Sequence, residues 1–599
     1  MSEPVDWPEA EDGAAGAPRS PRFGDTYFSS EDGLAETRAV FLDGCGLPEA
    51  WAGRRRFTVA ELGFGTGLNI LALLDLWRRA RASPGARLHL FSVEAYPMGR
   101  ADAERALAHW PELADLIEPL LEGWPDGRRG FRRIEWPGLG ATLDLAVLEV
   151  AEALDAWTGQ ADAWFLDGFA PARNPEMWRD EVLALVAARS APGACAASFT
   201  VAGAVRRGLE AQGFAVERRP GFGRKKQRLE AVKPGACALP PLPRVAILGA
   251  GIAGASLRRA FDRLGVAAQV FDAVGTGAGA SGNPAALVTP WLDAGLGPGA
   301  ALHAAAFARA TRLYRRETPD AVIAEGVLQL ETQPRDTARF ERIAGWDGFA
   351  EAALEPLTAA RTAGRLDEAA GPGALAFKGG LVLEPAVVLS HWLCSVEKAR
   401  ASALERQERG WRVLDEKGRP LAEADLVVVA LGHASIGLVK GLALAPVRGQ
   451  ASLAGIGFTG APAAWGGYAI PTRTGLLFGA THDRRDTATD VRAEDHARNL
   501  ALLGQGRPAL AAAVERAVQE GLGLAGRAAI RAATPDHLPL AGPAPGLDGV
   551  FVLAGLGGRG FTLAPLLAEA LAAEALGVGG PLPAEAYARL RPGRFAARD

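Results

Sequence analysis

Two stretches of the chain share one pattern: a short apolar run, a cluster of glycines, then a longer segment with apolar residues at helical spacing. Residues 57–67 (FTVAELGFGTG) lead into a helix expected over 68–80, and residues 244–251 (RVAILGAG) lead into one over 253–264. Further short apolar runs end in an acidic or small residue: 88–93 before Glu94, 143–148 before Glu149, 161–166 before Asp167, and 267–271 before Asp272. Strand, glycine turn and helix in alternation is the signature of parallel α/β units. The runs at 426–430 and 551–560 (FVLAGLGGRG), the latter followed by a helix over 563–575, extend the pattern to the end of the chain. No repeat with a fixed period of about 20–50 residues is present.

Length and composition limit what these units can be. At roughly 150 residues per domain, 599 residues predict about three to five folded units. With 49% hydrophobic and 22% charged residues the chain is not wholly disordered. Lys plus Arg total 65 against 69 Asp plus Glu, so a uniformly basic nucleic-acid binder is excluded, although a local basic patch is not. Cys45, Cys195, Cys237 and Cys394 form no CxxC pair, so neither a metal site nor a disulfide framework is expected. The start is acidic and rich in Pro, Ala and Gly, without a signal-peptide pattern, and no apolar run approaches the roughly 18 residues of a membrane span. A soluble, cytoplasmic monomer is the expectation. Residues 233–243 (KPGACALPPLP) carry four prolines in eleven positions and read as a linker. The expected division is a disordered tail over 1–20, one domain over 21–233, a linker over 234–243, and a second domain over 244–599 whose first motif is completed by distant segments.

In the first unit, Glu61, Gly63, Gly65 and Gly67 form a loop that differs from the dinucleotide fingerprint. Glu94 is placed to accept the ribose hydroxyls of a nucleoside, and Glu149 to meet an adenine edge. All of these positions fall outside the carboxyl ends of strands, where open α/β sheets bind ligands. A tight turn alone would explain the glycines; three acids ending strands in order favour a ligand site. The combination resembles class I S-adenosylmethionine-dependent methyltransferases, which implies S-adenosylmethionine at these residues. Asp167-Gly-Phe169-Ala-Pro171 resembles the acidic-aromatic-proline loop of amino-group methyltransferases. That resemblance implies that Asp167 orients or deprotonates an amine while Phe169 holds a base.

The second unit carries Gly249-Ala-Gly251-Ile-Ala-Gly254, a GxGxxG between strand and helix, with Asp272 18 residues on as the expected ribose-binding acid. The small-residue turn Ser281-Gly282-Asn283 suits close contact with a bulky cofactor, and Gly555, Gly557, Gly558 and Gly560 return to the same motif some 300 residues later. A plain NAD domain would be complete within about 150 residues, so the spacing favours an FAD-type fold with an inserted substrate subdomain. The whole resembles D-amino-acid oxidase-like flavoproteins, including glycine oxidase, which implies FAD. In Arg531-Ala-Ala-Thr-Pro-Asp536-His537, Arg531 is the candidate for holding a substrate carboxylate. His537 reads equally as a core or a catalytic histidine, and Arg559 as a residue facing the flavin.

Arg224, Lys225, Lys226 and Arg228 put four cations into five positions of a chain with only 7 Lys. Such a run is either a solvated hairpin tip or a phosphate grip, and composition does not choose between them. Motifs spread over both halves do: FGDTYFS (23–29), AELGFGTGLN (60–69), DAWFLDGFAPARNP (162–175), GFGRK (221–225), ASGN (280–283) and DHLP (536–539). Together they resemble the family of bifunctional tRNA 5-methylaminomethyl-2-thiouridine biosynthesis proteins. The resemblance implies a Rossmann-like methyltransferase fused to a Rossmann-type FAD domain with an α+β substrate subdomain, acting on the wobble uridine of tRNA. Oxidative removal of a carboxymethyl group would expose an amine, which is then methylated. It also implies that Arg224, Lys225 and Lys226 meet tRNA. Two positions depart from the family pattern, Glu149 where Asp is expected and Asp272 where Glu is more usual. A fused amine oxidase and methyltransferase acting on small molecules is the alternative.

Overall fold

The computed structural model describes residues 3–8, 17–29, 32–223, 226–236, 241–350 and 352–595. The chain is mixed α/β and divides into two compact units, one of Met1–Leu242 with Arg263–Gly265 and Leu576–Glu585, the other of Pro243–Asp262, Val266–Ala575 and Ala586–Asp599.

The first unit is built on one sheet of eight strands: β1 (Arg56–Leu62), β2 (Arg87–Val93), β3 (Gly130–Trp136), β4 (Ala141–Val147), β5 (Ala161–Leu166), β6 (Ser190–Ser198), β7 (Ala215–Pro220) and β8 (Gln227–Val232). Their order is β3-β4-β2-β1-β5-β6-β8-β7. The central pairs β4–β2, β2–β1, β1–β5 and β5–β6 are parallel, with antiparallel strands added at both edges. Side chains alternate across β1: Phe57 and Val59 enter the core on one face, Ala60 and Leu62 that on the other. Helix α1 (Leu68–Ala80) follows the glycine loop; Ile70, Leu71, Leu73, Leu74 and Trp77 are buried in the first of those cores.

One buried ionic cluster ties three strands together. Arg133 on β3 donates to both oxygens of Asp144 on β4 (2.7 and 2.6 Å), and His89 on β2 lies 2.8 Å from Oδ2. Burial would raise the Asp144 carboxyl, but Arg133 and His89 outweigh it and bring it down to about 2. An aspartate in the unfolded chain titrates near 3.9, so this stabilisation is complete above about pH 4 and is lost as the pH falls toward 2. The urea midpoint of the first unit should fall across that window, and Asp144→Asn should flatten the fall while destabilising the unit by about 3–5 kcal/mol at pH 7.

The expected N-terminal tail is ordered where it is described. Glu3 donates its N–H to Pro97 O and is buried, Trp7 Nε1 bonds Asp102 at 2.9 Å, and Arg105 stacks on the Trp7 ring at 4.1 Å. A tryptophan and a paired glutamate hold a segment whose Pro/Ala/Gly content alone suggests disorder. Of the proline-rich stretch, residues 237–240 lie outside the described ones.

The second unit pairs β9 (Val245–Leu248) with β10 (Ala268–Asp272), and these with β11 (Glu397–Lys398), β12 (Leu426–Val429), β15 (Leu540–Pro543) and β16 (Val550–Ala554), in the order β11-β10-β9-β12-β16-β15. Strands nearly 300 residues apart in sequence are thus neighbours in one sheet. A ten-stranded sheet contains β13 (Ala445–Ala454) and β14 (Ala525–Ala533), which pair antiparallel along their whole length. Helix α2 (Ile252–Arg263) leaves the first glycine motif and α3 (Gly560–Ala575) the last. Helix α3 starts three residues earlier than the sequence pattern indicates, because first-turn amides need no intrahelical partner and Gly560 costs little there. No helix among the described residues is long and apolar enough to cross a membrane.

Candidate active sites

A cavity of about 550 Å³ opens at the carboxyl ends of β1, β2 and β5. Gly63, Gly65 and Gly67 all take positive φ (83°, 53° and 77°), and a Cβ on Gly63 would come within 2.8 Å of Gly168 Cα. The loop therefore packs against the segment that carries Asp167. Glu94 accepts from the Gly65 amide through Oε2 and the Tyr96 amide through Oε1, both at 3.0 Å, and lines the cavity. Burial pushes its carboxyl up, partly offset by those two amides. Glu149 also lines the cavity and accepts from Tyr96 Oη at 2.8 Å.

Asp167 follows β5. Its Oδ2 accepts from Asn69 Nδ2 at 2.7 Å, and Asn69 Oδ1 in turn accepts from Thr37 Oγ1 at 2.8 Å. The Thr37 hydroxyl thus fixes which end of the Asn69 amide faces Asp167. Phe169 stands against Phe23 (4.8 Å between centroids) and Tyr27 (5.3 Å), and Asp25 Oδ2 accepts from the Ala170 amide. An aromatic wall beside a carboxylate can hold a planar base and orient an amine.

Glu61 is placed differently from the sequence reading. It shares its face of β1 with Phe57 and Val59, is fully buried, accepts from Ser92 Oγ at 2.5 Å and does not line the cavity. Burial holds its carboxyl well above the ordinary value. It supports the loop from beneath. Of the basic run, Arg224 and Lys225 lie outside the described residues and Lys226 is exposed, while Phe222 and Gly223 line the cavity. Arg228 is paired with Glu230 at 2.6 Å and Arg206 with Glu210 at 2.7 Å.

The second cavity, about 330 Å³, is lined by Gly249, Gly251, Asp272, Ser281, Asn283, Gly555, Gly557, Gly558, Gly560 and Arg531 among others. Asp272 organises the turn: Oδ2 accepts from Ala250 N, and Oδ1 from Val274 N and Gly275 N, each at 2.9 Å. Ser281 Oγ accepts from Ile252 N at the start of α2, and Asn283 Oδ1 from Arg527 Nη1. Gly254 and Gly282 do not line the cavity. They allow close backbone approach, since a Cβ would fall 1.8 Å from Gly249 O and 2.0 Å from Gly277 O respectively.

Arg531 stands on β14, where Nη2 donates to Thr481 O at 2.6 Å. Burial lowers its guanidinium from the ordinary value, with Tyr468 and Asp483 acting in the opposite sense. Gly449 and Tyr468 line the cavity beside it. Arg559 instead donates to Thr289 O and Oγ1 and does not line the cavity, and His537 is exposed.

Residues 111–234 match the S-adenosyl-L-methionine-dependent methyltransferase family and residues 244–574 the FAD dependent oxidoreductase family. The tRNA 5-methylaminomethyl-2-thiouridine biosynthesis bifunctional protein of Caulobacter sp. (strain K31) is 57% identical over 97% of both chains. The chain belongs to this bifunctional family. The protein of that name from Maricaulis maris is 42% identical over 97% of this chain and 95% of its own. Among solved structures, glycine oxidase from Geobacillus kaustophilus matches with a TM-score of 0.50 at 22% identity, over 59% of this chain and 99% of its own, which shows the fold of the second unit.

As a member of the tRNA 5-methylaminomethyl-2-thiouridine biosynthesis family, the chain is a bifunctional enzyme with a methyltransferase and an FAD-dependent oxidoreductase part. Its residues fit both cofactors. Carboxylates and positive-φ glycines line the first cavity, and a side-chain-free turn at the N-terminus of α2 lines the second. Gly254→Ala should separate α2 from β9; the expected result is protein purified with little or no flavin absorption and unchanged methyl transfer. Phe23, Tyr27, Asn69 and Tyr96 were not singled out as site residues from the sequence. Phe23 and Tyr27 interleave with polar residues over 23–29, a pattern without helical or strand period, which is the one local signal they carry.

Proposed function

We propose that this chain carries out two successive steps on the wobble uridine of tRNA, converting 5-carboxymethylaminomethyl-2-thiouridine to 5-aminomethyl-2-thiouridine and then to 5-methylaminomethyl-2-thiouridine. What carries the reading is one chain holding a buried guanidinium in a flavoprotein cavity and a carboxylate with an aromatic wall in a methyltransferase cavity. The product of the first chemistry, a primary amine, is the nucleophile of the second. The family's printed name supplies the nucleoside.

In the oxidase cavity, Arg531 would hold the carboxylate of the carboxymethylamino group by charge-assisted hydrogen bonds, which sets its CH₂–N bond in one place. FAD, when bound, takes up the two electrons and the hydride leaving that carbon. Water adds to the resulting imine, and the C–N bond breaks to give glyoxylate and the aminomethyl group. In the methyltransferase cavity, Glu94 and the Gly63–Gly67 loop would hold S-adenosylmethionine, whose methyl is the electrophile. Asp167, kept in place by Asn69, would orient the amine so that a neutral nitrogen presents its lone pair. Phe23, Tyr27 and Phe169 would stack the uracil, and Arg224, Lys225 and Lys226 would meet phosphates. We place the domain limits at 21–233 and 244–599, and the protein in the cytoplasm as a monomer.

Nucleoside analysis of tRNA from cells lacking this protein tests the reading. Accumulated carboxymethylaminomethyl-thiouridine is the expected result. Normal methylaminomethyl-thiouridine would refute it in favour of a small-molecule amine oxidase and methyltransferase.

A further inference from the structure

Arg531 is tethered to Thr481, and the segment that follows, His482 to Arg485, carries cations without partners. Arg484 and Arg485 are exposed, and among the described residues neither side chain makes a hydrogen bond or an ion pair. Their neighbours contrast with them. Arg448 binds Asp495 (2.6 Å), Arg492 binds Asp486 (2.8 Å), Arg498 binds Asp483 (3.0 Å) and Arg594 binds Asp536 (2.8 Å). The acidic groups nearest the segment are thus already neutralised, and the positive charge of Arg484 and Arg485 is uncompensated. His537, exposed and next to the paired Asp536, belongs to the same neighbourhood. His482 is held below its ordinary pKa by burial, then by Arg531, Arg484 and, more weakly, His537.

An aromatic side chain stands beside this charge. Trp291 is 37% exposed, and no other Phe, Tyr or Trp among the described residues is as open. Its ring lies near Gly299, which also adjoins Leu538, the residue after His537. It packs edge-on against His303 at 5.7 Å, and its indole N–H makes no hydrogen bond among the described residues. Exposing an indole costs hydrophobic free energy that a solvent-facing polar residue would not. A flat aromatic face next to unpaired guanidinium groups is the composition of a single-stranded nucleic-acid platform: the ring stacks a base and the cations hold adjacent phosphates.

We infer that Trp291, Arg484 and Arg485 form an RNA-binding rim on the oxidase unit, stacking an unpaired anticodon-loop base and gripping its phosphates. This inference rests on the proposed tRNA substrate. The rim supplies affinity and register for a base carried on RNA, and does nothing for a free carboxymethylamine.

The experiment uses the full-length flavoprotein, with two substrates for the oxidase half: tRNA purified from cells lacking this protein, and the free nucleoside 5-carboxymethylaminomethyl-2-thiouridine. Trp291→Ala should raise KM for the tRNA about 5- to 150-fold, the effect of removing a stacking aromatic, while Trp291→Phe restores most of it. Arg484→Ala/Arg485→Ala should weaken tRNA binding and lower the slope of log affinity against log salt by about 1.4–1.8. Flavin content and turnover of the nucleoside should match wild type in all variants, which separates the effect from misfolding. If wild type acts on tRNA and these variants match it in KM and salt slope, the rim is wrong and the function stands. If wild type oxidises the nucleoside yet neither binds nor modifies the tRNA, the proposed function and the rim both fall.

Discussion

Replacing Asp167 by alanine is expected to reduce methyl transfer by about 10²–10⁴ in kcat while S-adenosylmethionine still binds. The separation follows from the geometry. The loop that would hold the methyl donor is fixed by Glu94, which accepts from Gly65 and Tyr96, and none of these bonds involves Asp167. The carboxylate itself is held by Asn69 and stands beside Phe169, where an amine rather than a nucleoside donor would meet it. Cells carrying this variant should accumulate aminomethyl-thiouridine, because the oxidase half is untouched. Thr37→Val should act in the same direction but more weakly, since it frees the Asn69 amide to turn. Wild-type levels of the methylated nucleoside with Asp167→Ala would remove Asp167 from the mechanism.

The elements around this site were legible because each is short, apolar and punctuated by glycine. The helix expected over 68–80 is α1, and the run over 161–166 is β5. Glu61 shows the limit. The sequence places it beside the glycine loop, but strand alternation turns it onto the face of Phe57 and Val59, under the loop. Nearness in sequence to a binding loop is not nearness to its ligand. The aromatic wall shows the opposite case. Phe23 and Tyr27 meet Phe169 across more than 140 residues, and nothing local records which distant side chain a ring will find. The N-terminal segment misled for a related reason: Trp7 and Glu3 gain order from partners at Asp102 and Arg22, outside the window in which its composition is read. In the second unit, glycines carried two meanings that sequence does not separate. Gly249 and Gly251 face the cavity, whereas Gly254 and Gly282 permit close backbone packing.

Arg531→Met should lower kcat/KM for the carboxymethylamino substrate by about 10²-fold or more. It removes charge-assisted hydrogen bonds worth about 1.5–3 kcal/mol each in a site with little water to compensate. The sharper test of the same role leaves Arg531 in place. A Cβ on Gly449 would fall 1.7 Å from Arg531 Nη2 and 2.6 Å from Cζ, so Gly449→Ala must displace the guanidinium. Gly449 lies on β13 opposite Ala529 of β14, in a long antiparallel pairing that holds the backbone, so the side chain is what yields. Gly449→Ala should therefore reproduce the kinetic defect of Arg531→Met while retaining flavin, since Gly249, Asp272 and the α2 N-terminus are unchanged. Both variants should still methylate tRNA that already carries the aminomethyl group. A Gly449→Ala enzyme with normal oxidation would mean that the guanidinium position seen here does not set substrate orientation, and the carboxylate would need another partner in the cavity.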